Sequence, residues 1–386
     1  MGCQFVYTNM IQILRYENKD GEYILRRHKG IQEVVEIGDV GEKLNTEVEE
    51  GIYTGGENIQ ADHDIVTVKG VLYTYEQMLE DLNLMESKYP DRMCVREAGT
   101  SLDGRMIMEI ILGDRKSPNH ILIQASIHGR EYLNTILVMK QLEDIIKNFE
   151  NGSYHGVSYQ RLLDNVCFHI LPMTNPDGVT ISQSGLDGIR DFFLRKQLEK
   201  CYQNDLEHGE GGSSREEYWR RWKANARGVD LNRNFDSGWK EYQSVTYPSS
   251  DHYKGEKPES EPEVQAILRL ADEYPIVCTI AYHSSGEVVY WDYGSSGNVL
   301  EADRKLADLV SEITGYPKES SVQSEQDAAG CSDYFVLECG IPSVTIENGS
   351  GECPLSMEEF GSIWGSNALL WPALAERIGD GLRAAL

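Results

Sequence analysis

Apolar and polar positions repeat with two different periods along the chain after about residue 72. Short apolar runs, typical of buried strands, cover residues 106–112, 120–126, 166–171, 276–282 and 343–346. Stretches with a helical period cover residues 75–88, about 132–149 and a run ending near residue 273. Because strands alternate with helices over most of the chain, the pattern predicts an α/β domain with a mainly parallel sheet covered on both faces.

The run ending near residue 273 has a clear start signal. Ser260-Glu261-Pro262-Glu263 has the spacing of a capping box and carries proline in the first turn. This combination predicts a helix start with Ser260 as the capping residue and Pro262 in the first turn.

Two segments depart from the alternation. Residues 1–70 are polar, rich in glycine and glutamate and without a helical period, so they are predicted to form a small β-rich N-terminal extension. Residues 181–226 carry many charges and two helix-like runs, 190–202 and 215–225, and form a candidate rim or lid. The predicted division is therefore an extension at 1–70 and one large domain at 71–386.

The amino-acid composition excludes some classes of function. The 386 residues include 36 Lys and Arg against 63 Asp and Glu, a net charge of −27, with 40% hydrophobic and 9% aromatic residues. This is enough apolar material for a packed core. The acidity argues against binding nucleic acid or anionic lipid, which both require a basic face.

The sequence also predicts where the protein is located and the redox state of its cysteines. We find no apolar run near the ~20 residues that a membrane helix needs, and the N-terminus lacks the pattern of a secretory signal. The eight cysteines are scattered without a CxxC pair. We therefore expect buried thiols in a cytoplasmic protein, with no membrane or nucleic-acid partner.

Candidate metal ligands follow three of the apolar runs. His128 and Glu131 come just after residues 120–126, His283 ends the run 276–282, and Glu347 ends the run 343–346. Because ligands bind at the carboxyl ends of the strands of an open α/β sheet, these side chains are expected at one edge. Two histidines and a glutamate are an established zinc set that leaves a position for water. Glu347 is then placed to take the proton of that water.

Each residue taken alone has a plainer interpretation. A lone HxxE is usually a polar surface pair, a histidine at a strand end is usually satisfied by the core, and a single glutamate is usually solvated. Their joint placement favours the metal site. The sequence contains none of the GxSxG, GxxxxGK[ST] or GxGxxG motifs that would indicate other chemistries.

The segment 225–235 adds Arg227, Asn232 and Arg233. Arginine side chains bind carboxylates in a bidentate manner and stabilise oxyanions. The alternative is a structural junction in which Asp230 pairs with an arginine. Asp177, in Asn175-Pro176-Asp177-Gly178, is interpreted as a turn former.

These motifs together resemble the zinc carboxypeptidase family over about residues 72–380. His128-Gly129-Arg130-Glu131 resembles the family's zinc pair, His283 its third ligand and Glu347 its general base. Asn232 and Arg233 resemble the clamp for the substrate carboxylate, and Arg227 the arginine that polarises the scissile carbonyl. The resemblance implies one catalytic Zn²⁺ per chain and a single domain with a mixed, mainly parallel eight-stranded sheet between helices.

The sequence also departs from well-known members of the family. They carry a tyrosine a little over twenty residues before the general base, where this chain has Glu325, Gln326 and Asp327. The segment corresponding to the specificity pocket is polar and includes Ser332, a candidate substrate contact. The segment 225–235 is instead similar to the bacterial branch that cleaves γ-D-glutamyl–diaminopimelate bonds in cell-wall peptides.

The sequence therefore predicts a zinc peptidase that acts on a small peptide substrate by water-mediated hydrolysis. The favoured substrate is a murein peptide cut between γ-D-glutamate and a diamino acid. One alternative is an ordinary carboxypeptidase that removes a C-terminal residue. Further alternatives are a zinc-dependent deacylase of amino acids and a non-catalytic binding module. The oligomeric state is left open.

Overall fold

The computed structural model describes residues 64–67, 72–321 and 328–379 in full, and the backbone of three strands nearer the N-terminus. The chain divides into two compact units, Met1–His63 and Asp64–Leu386. In the first unit, β1 (Gln4–Thr8), β2 (Ile11–Glu17) and β3 (Tyr23–Arg27) form an antiparallel sheet in that order.

The larger unit begins inside the segment that the sequence pattern assigned to the extension. Val66 is buried, and its backbone N–H donates to Glu143 Oε2 over 3.2 Å. The backbone N–H of Ile65 also donates to Glu143. These contacts explain why residues 64–67 belong to the larger unit.

Among the described residues of this unit, eight strands form one sheet and two more form a small hairpin. The sheet strands are β4 (Met93–Thr100), β5 (Met106–Gly113), β6 (His120–Ala125), β9 (Cys167–Leu171), β10 (Ile276–His283), β11 (Val288–Trp291), β12 (Lys318–Ser320) and β13 (Ser343–Glu347). The hairpin pairs β7 (Ser153–Tyr154) with β8 (Val157–Ser158).

Helices connect and cover these strands. They are α1 (Tyr75–Lys88), α2 (Leu133–Lys147), α3 (Tyr159–Leu163), α4 (Pro176–Ser184), α5 (Phe192–Glu207), α6 (Arg215–Arg220), α7 (Pro262–Glu273), α8 (Gly297–Thr314), α9 (Cys331–Leu337), α10 (Phe360–Asn367) and α11 (Leu370–Gly379). None of the described helices is long and apolar enough to cross a membrane.

The sheet has the order β12-β11-β13-β10-β6-β9-β5-β4. Its four central strands, β13, β10, β6 and β9, are parallel to their neighbours within this group. The pairs β11–β13, β5–β9 and β4–β5 are antiparallel. The expected mixed, mainly parallel eight-stranded sheet is confirmed, and the central strands end at one common edge.

Strand β6 shows why the central runs are apolar throughout. Ile121 and Ile123 pack into a cluster shared with α2, α8 and α11 on one face. Leu122 packs into a second cluster with α7 and α9 on the other. A strand covered on both faces has no solvent-facing positions, so its sequence reads as a continuous hydrophobic run.

The capping box predicted at Ser260 is wrong, although the helix starts where expected. Helix α7 begins at Pro262, and its N-cap residue is Glu261, whose side chain makes no capping bond. Ser260 Oγ instead donates to Glu261 Oε1 over 2.7 Å. Asn234 Oδ1 accepts the backbone N–H groups of both residues, so a distant side chain fixes the segment that leads into the helix.

The segment 181–226, predicted as a rim or lid, is packed on its own apolar cluster. Helices α5 and α6 contribute Cys201, Tyr218 and Trp219, and Trp222 is fully buried among them. The residues after α6 run beside the carboxyl edge of the sheet, because Gly129 N–H donates to Lys223 O over 2.9 Å. This segment therefore forms a wall next to the predicted site.

Candidate zinc centre

The carboxyl edge of the central strands brings the four predicted residues together. His128 precedes a helical turn, Gly129–Glu131, that follows β6. His283 and Glu347 are the last residues of the neighbouring strands β10 and β13, and they are register partners. The parallel sheet thus places residues from three distant parts of the sequence side by side.

His128, Glu131 and His283 converge on one point. His128 Nδ1 lies 2.8 Å from Glu131 Oε1, and His283 Nδ1 lies 3.1 Å from Glu131 Oε2. The two Nδ1 atoms are 3.2 Å apart. All three side chains are buried, and one ligand atom from each lies within 4.8 Å of the others.

The buried carboxylate of Glu131 requires a positive charge beside it. Burial alone would raise the pKa of Glu131, but His128 and His283 outweigh it and hold that pKa well below its usual value. Burial would lower the pKa of His283, and Glu131 instead raises it above the ordinary value. The cluster is therefore built around a shared cation, either protons or a metal ion.

The donor set fits zinc. Two imidazole nitrogens and a carboxylate oxygen form a set that Zn²⁺ takes in catalytic sites. The far nitrogen of His128, Nε2, lies 3.3 Å from Asp230 Oδ1, so a carboxylate orients the ring. Such carboxylate–histidine contacts fix the tautomer of zinc ligands. Asp230 was interpreted from the sequence as a possible arginine partner, and it contacts His128 and Lys223 instead.

Lys223 is a cation that the sequence reasoning missed. Its Nζ lies 3.2 Å from Asp230 Oδ2 and 3.0 Å from Asp251 Oδ1. Burial would lower the pKa of Lys223, but the two aspartates raise it above the usual value, so the side chain stays charged. Its charge also acts on His283 and Glu347, lowering the pKa of each. The sequence feature that could have identified it is its position, two residues before Asn225 and the segment 225–235.

Two motif glycines let the zinc turn approach the rest of the site. A Cβ on Gly129 would lie 2.4 Å from the carbonyl oxygen of Gly178. A Cβ on Gly178 would lie 2.3 Å from the side-chain nitrogen of Asn175 and 2.6 Å from the carbonyl oxygen of Ala224. Because neither position has room for a side chain, the two motifs pack backbone to backbone.

The neighbouring Asp177 does more than form a turn. It accepts hydrogen bonds from Ser101 Oγ and the Asp103 N–H, each over 2.8 Å, and lies 2.9 Å from Arg105 Nη1. The side chain of Asn175 caps α4 by accepting from Gly178 N–H. Asp177 therefore anchors the start of α4 through a buried ion pair, and the turn-former interpretation was incomplete.

A cavity of about 410 Å³ opens over the cluster. The residues lining it are His128, Arg130, Glu131, Arg221, Lys223, Asn232, Arg233, His283, Ser284, Ser285, Tyr290, Glu347, Glu352 and Cys353. Burial raises the pKa of Glu347 to about 7. The cavity thus combines a proton acceptor, the candidate zinc ligands and four cationic side chains.

Asn232 and Arg233 line this cavity as expected. Asn232 Oδ1 accepts from the backbone N–H of Cys331 over 2.9 Å, which fixes the orientation of the amide. The guanidinium of Arg233 lies 5.3 Å from the centre of the Tyr242 ring, and its Nη1 donates to Asn232 O over 2.8 Å. Both side chains are held in place before any ligand arrives.

Arg227 and Ser332 do not line the cavity. Arg227 is partly exposed, and its Nη1 lies 3.4 Å from Glu261 Oε1. Asn225 Oδ1 accepts the N–H groups of Arg227 and Val229 and holds the turn that carries Arg227. Ser332 is buried, with its Oγ 3.0 Å from Thr345 Oγ1. The residues Glu325, Gln326 and Asp327, where the sequence lacks the family's tyrosine, lie outside the described residues.

A second cluster of potential ligands lies away from the cavity. His120, Cys167 and His169 are buried close together. His120 Nδ1 lies 2.8 Å from His169 Nε2, His120 Nε2 lies 2.8 Å from Ser117 O, and His169 Nδ1 lies 2.6 Å from Glu109 Oε1. Because each ring nitrogen of His120 and His169 already has a hydrogen-bond partner, this cluster is better explained as a hydrogen-bonded chain than as a metal site.

Comparisons with known proteins point to the same chemistry. The zinc carboxypeptidase family model matches residues 78–352. Uncharacterized protein YqgT of Bacillus subtilis is 29% identical over 309 residues, which cover 78% of this chain and 77% of that protein. Gamma-D-glutamyl-L-diamino acid endopeptidase 1 of Lysinibacillus sphaericus is 28% identical over 297 residues, covering 76% and 69%.

Solved structures share the fold. The crystal structure of thrombin activatable fibrinolysis inhibitor aligns with a TM-score of 0.63 at 19% identity, covering 80% of this chain and 74% of that one. Carboxypeptidase A from Helicoverpa armigera aligns with a TM-score of 0.59 at 17% identity, covering 89% and 83%. At these identities the likeness concerns the fold alone.

Proposed function

The chain belongs to the zinc carboxypeptidase family and is a zinc metallopeptidase, and from that premise we propose that it cleaves the amide bond between γ-D-glutamate and a diamino acid in murein peptides. The observation that carries the proposal is the set of four cations around the zinc cluster, Arg130, Arg221, Lys223 and Arg233. Such a cavity suits a substrate with several carboxylates. The relative from Lysinibacillus sphaericus, whose name states this bond, supports the choice.

The zinc ligands in this proposal are His128, Glu131 and His283. Zinc supplies Lewis acidity, which polarises the scissile carbonyl and lowers the pKa of a water molecule. Glu347 accepts the proton of the attacking water and returns it to the leaving amine. Burial raises the pKa of Glu347, whereas a zinc ion beside it would lower that pKa and keep the carboxylate ionised as a base requires.

Lys223 stabilises the negative charge that develops on the carbonyl oxygen. Its ammonium lies in the cavity with Glu347 and His283, and Asp230 and Asp251 hold it in place. A preoriented cation at a developing oxyanion is among the largest contributions to catalysis. We assign this role to Lys223 in place of Arg227, whose side chain lies outside the cavity.

We expect Lys223→Gln to lower kcat by about 100- to 1000-fold, the usual loss for one oxyanion donor, with little change in zinc content. Arg227→Gln should change kcat by less than about threefold, as expected for a partly exposed side chain. Steady-state kinetics on one substrate, with zinc analysis of each variant, measure both. A large loss for Arg227→Gln together with near-normal turnover of Lys223→Gln, with zinc retained in both, would restore the role to Arg227.

Asn232 and Arg233 bind the carboxylate of the leaving diamino acid. The Arg233 guanidinium offers a fork of N–H groups, and the fixed amide of Asn232 lies beside it. A free carboxylate at this position is common to the murein tripeptide and to the substrates of an ordinary carboxypeptidase. The clamp therefore does not distinguish the two activities. Contacts on the acyl side of the scissile bond must make that distinction.

The proposal includes a cytoplasmic setting, where imported wall fragments are recycled. It is supported by the cysteines of the described residues, which are all free thiols, with Cys167, Cys201, Cys278 and Cys331 buried. Free thiols persist in a reducing compartment.

Incubation with L-Ala-γ-D-Glu-meso-diaminopimelate and with a panel of α-linked peptides tests the substrate. Mass spectrometry should show release of diaminopimelate from the tripeptide and little release from the panel. The release should stop with a chelator and return with zinc. Cleavage of the α-linked panel alone would reject the murein proposal and favour an ordinary carboxypeptidase.

A further inference from the structure

Arg221 is the cavity cation with the weakest attachment to the protein. Lys223 is held by two aspartates, and Arg130 Nη2 lies 3.4 Å from Asp251 Oδ2. Arg221 Nη1 lies 3.9 Å from Glu352 Oε2, a pair in which the two side chains are 50% and 85% exposed. Exposed pairs at this separation contribute little to stability. Arg221 can therefore exchange Glu352 for a ligand carboxylate at small cost.

Arg221 lies two residues before Lys223, the side chain that binds the scissile carbonyl oxygen in the proposed function. Trp222 is fully buried in the apolar cluster behind the cavity wall, while Arg221 and Lys223 on either side of it line the cavity. Their Cα atoms are at most about 7.6 Å apart, since each step between neighbouring Cα atoms is about 3.8 Å. Because both side chains line the same cavity, one substrate can contact Arg221 and Lys223 together.

A γ-glutamyl substrate has a carboxylate at this distance. Its α-carboxyl carbon is joined to the scissile carbonyl carbon by four bonds of about 1.5 Å each. An ordinary α-linked peptide has a neutral amide and a side chain in this region. A cation that contacts this carboxylate consequently favours γ-linked glutamate over an α-linked residue on the acyl side of the bond.

We propose that Arg221 binds the α-carboxylate of the γ-linked glutamate and so selects γ-glutamyl substrates over α-linked peptides. This inference rests on the proposed function, because it assumes the γ-D-glutamyl bond. The inference adds the residue that recognises the acyl side of the scissile bond. Glu352 then acts as the resting partner of Arg221, replaced when the substrate binds.

Two substrates separate this role from a structural one. The first is L-Ala-γ-D-Glu-meso-diaminopimelate, and the second has γ-aminobutyrate in place of D-glutamate, which removes only the α-carboxylate. We expect the wild-type kcat/KM to favour the first by about 10- to 100-fold, the range for one charge-assisted hydrogen-bonded pair. Arg221→Gln should remove most of this preference by lowering kcat/KM for the first substrate alone.

Two further variants make the result interpretable. Arg221→Lys keeps the charge and should retain part of the preference. Arg304→Gln removes a cation of similar exposure, 45%, that pairs with Glu301 and Asp308 on α8. It controls for the general effect of one charge on an acidic protein and should leave the preference unchanged.

The outcomes distinguish the inference from the function on which it rests. A loss confined to the γ-glutamyl substrate in Arg221→Gln supports the inference. Equal losses on both substrates, or none, would overturn it while leaving the murein activity in place. If wild-type protein cleaves neither substrate but cleaves α-linked peptides, the proposed function itself is wrong, and the role of Arg221 with it.

Discussion

Replacing Glu347 by Gln is expected to lower kcat by about 100- to 10,000-fold while the protein keeps its zinc. General-base catalysis contributes about 100- to 10,000-fold, and a glutamine of the same shape cannot accept the proton. Glu347 ends β13 as the register partner of His283 and lines the same cavity. The carboxylate of the ligand cluster is that of Glu131, so Glu347 is not one of the three predicted ligands. The substitution therefore removes the base and leaves the three ligands.

The matched control is Glu301→Gln, which removes a carboxylate that does not line the cavity. Glu301 is 51% exposed, and its Oε1 lies 2.6 Å from Arg304 Nη2 on α8. We expect its kcat to stay within about threefold of wild type, as for most surface substitutions. Near-normal turnover of Glu347→Gln, with zinc analysis showing one ion per chain, would eliminate Glu347 as the base.

Replacing His283 by Ala is expected to abolish activity by removing zinc. Two protein ligands, His128 and Glu131, would remain where a catalytic zinc site uses three. The carboxylate of Glu131 would also lose one of the two imidazoles that hold its pKa low. Metal analysis after dialysis should show less than about a tenth of an ion per chain, and turnover should fall with it.

His155→Ala is the control for this loss. His155 has a side chain that is 68% exposed and lies 3.0 Å from Glu376, and it is not part of the ligand cluster. It should retain zinc and activity. A His283→Ala protein that still carries a full equivalent of zinc after dialysis would refute the ligand assignment.

The sheet and the ligand cluster were predictable because both follow from strand ends. Strands β6, β10 and β13 are buried on both faces, so their sequences are apolar runs that stop where polar residues begin. Parallel strands share one carboxyl edge, which brings His128, His283 and Glu347 together without any knowledge of the loops. Helix α1 was also predictable, because its amphipathic pattern is regular and stops before Pro90.

The position of Lys223, the cation proposed to stabilise the carbonyl oxygen, was not predictable in this way, because it depends on the conformation of a loop. Asn225 takes two backbone N–H groups with its side-chain oxygen and donates to Glu261 Oε2 over 2.7 Å. This turn carries Arg227 away from the cavity, while burial of Trp222 fixes the position of Lys223. Neither contact has a local signal, since Glu261 is more than thirty residues from Asn225.

The acidic composition describes the surface and not the site. The protein has a net charge of −27, yet its cavity carries Arg130, Arg221, Lys223 and Arg233. Salt screens exposed charges beyond about 8 to 10 Å, so an acidic wall peptide meets mainly the local field once it is near the cavity. The four cations therefore make the proposed acidic substrate compatible with an acidic protein.

The position of the metal tests the account most directly. Anomalous diffraction at the zinc edge, from crystals of the zinc-loaded protein, should give a strong peak within bonding distance of His128 Nδ1, His283 Nδ1 and a carboxylate oxygen of Glu131. A peak at His120, Cys167 and His169 instead, or no peak between the predicted ligands in crystals of active protein, would contradict it.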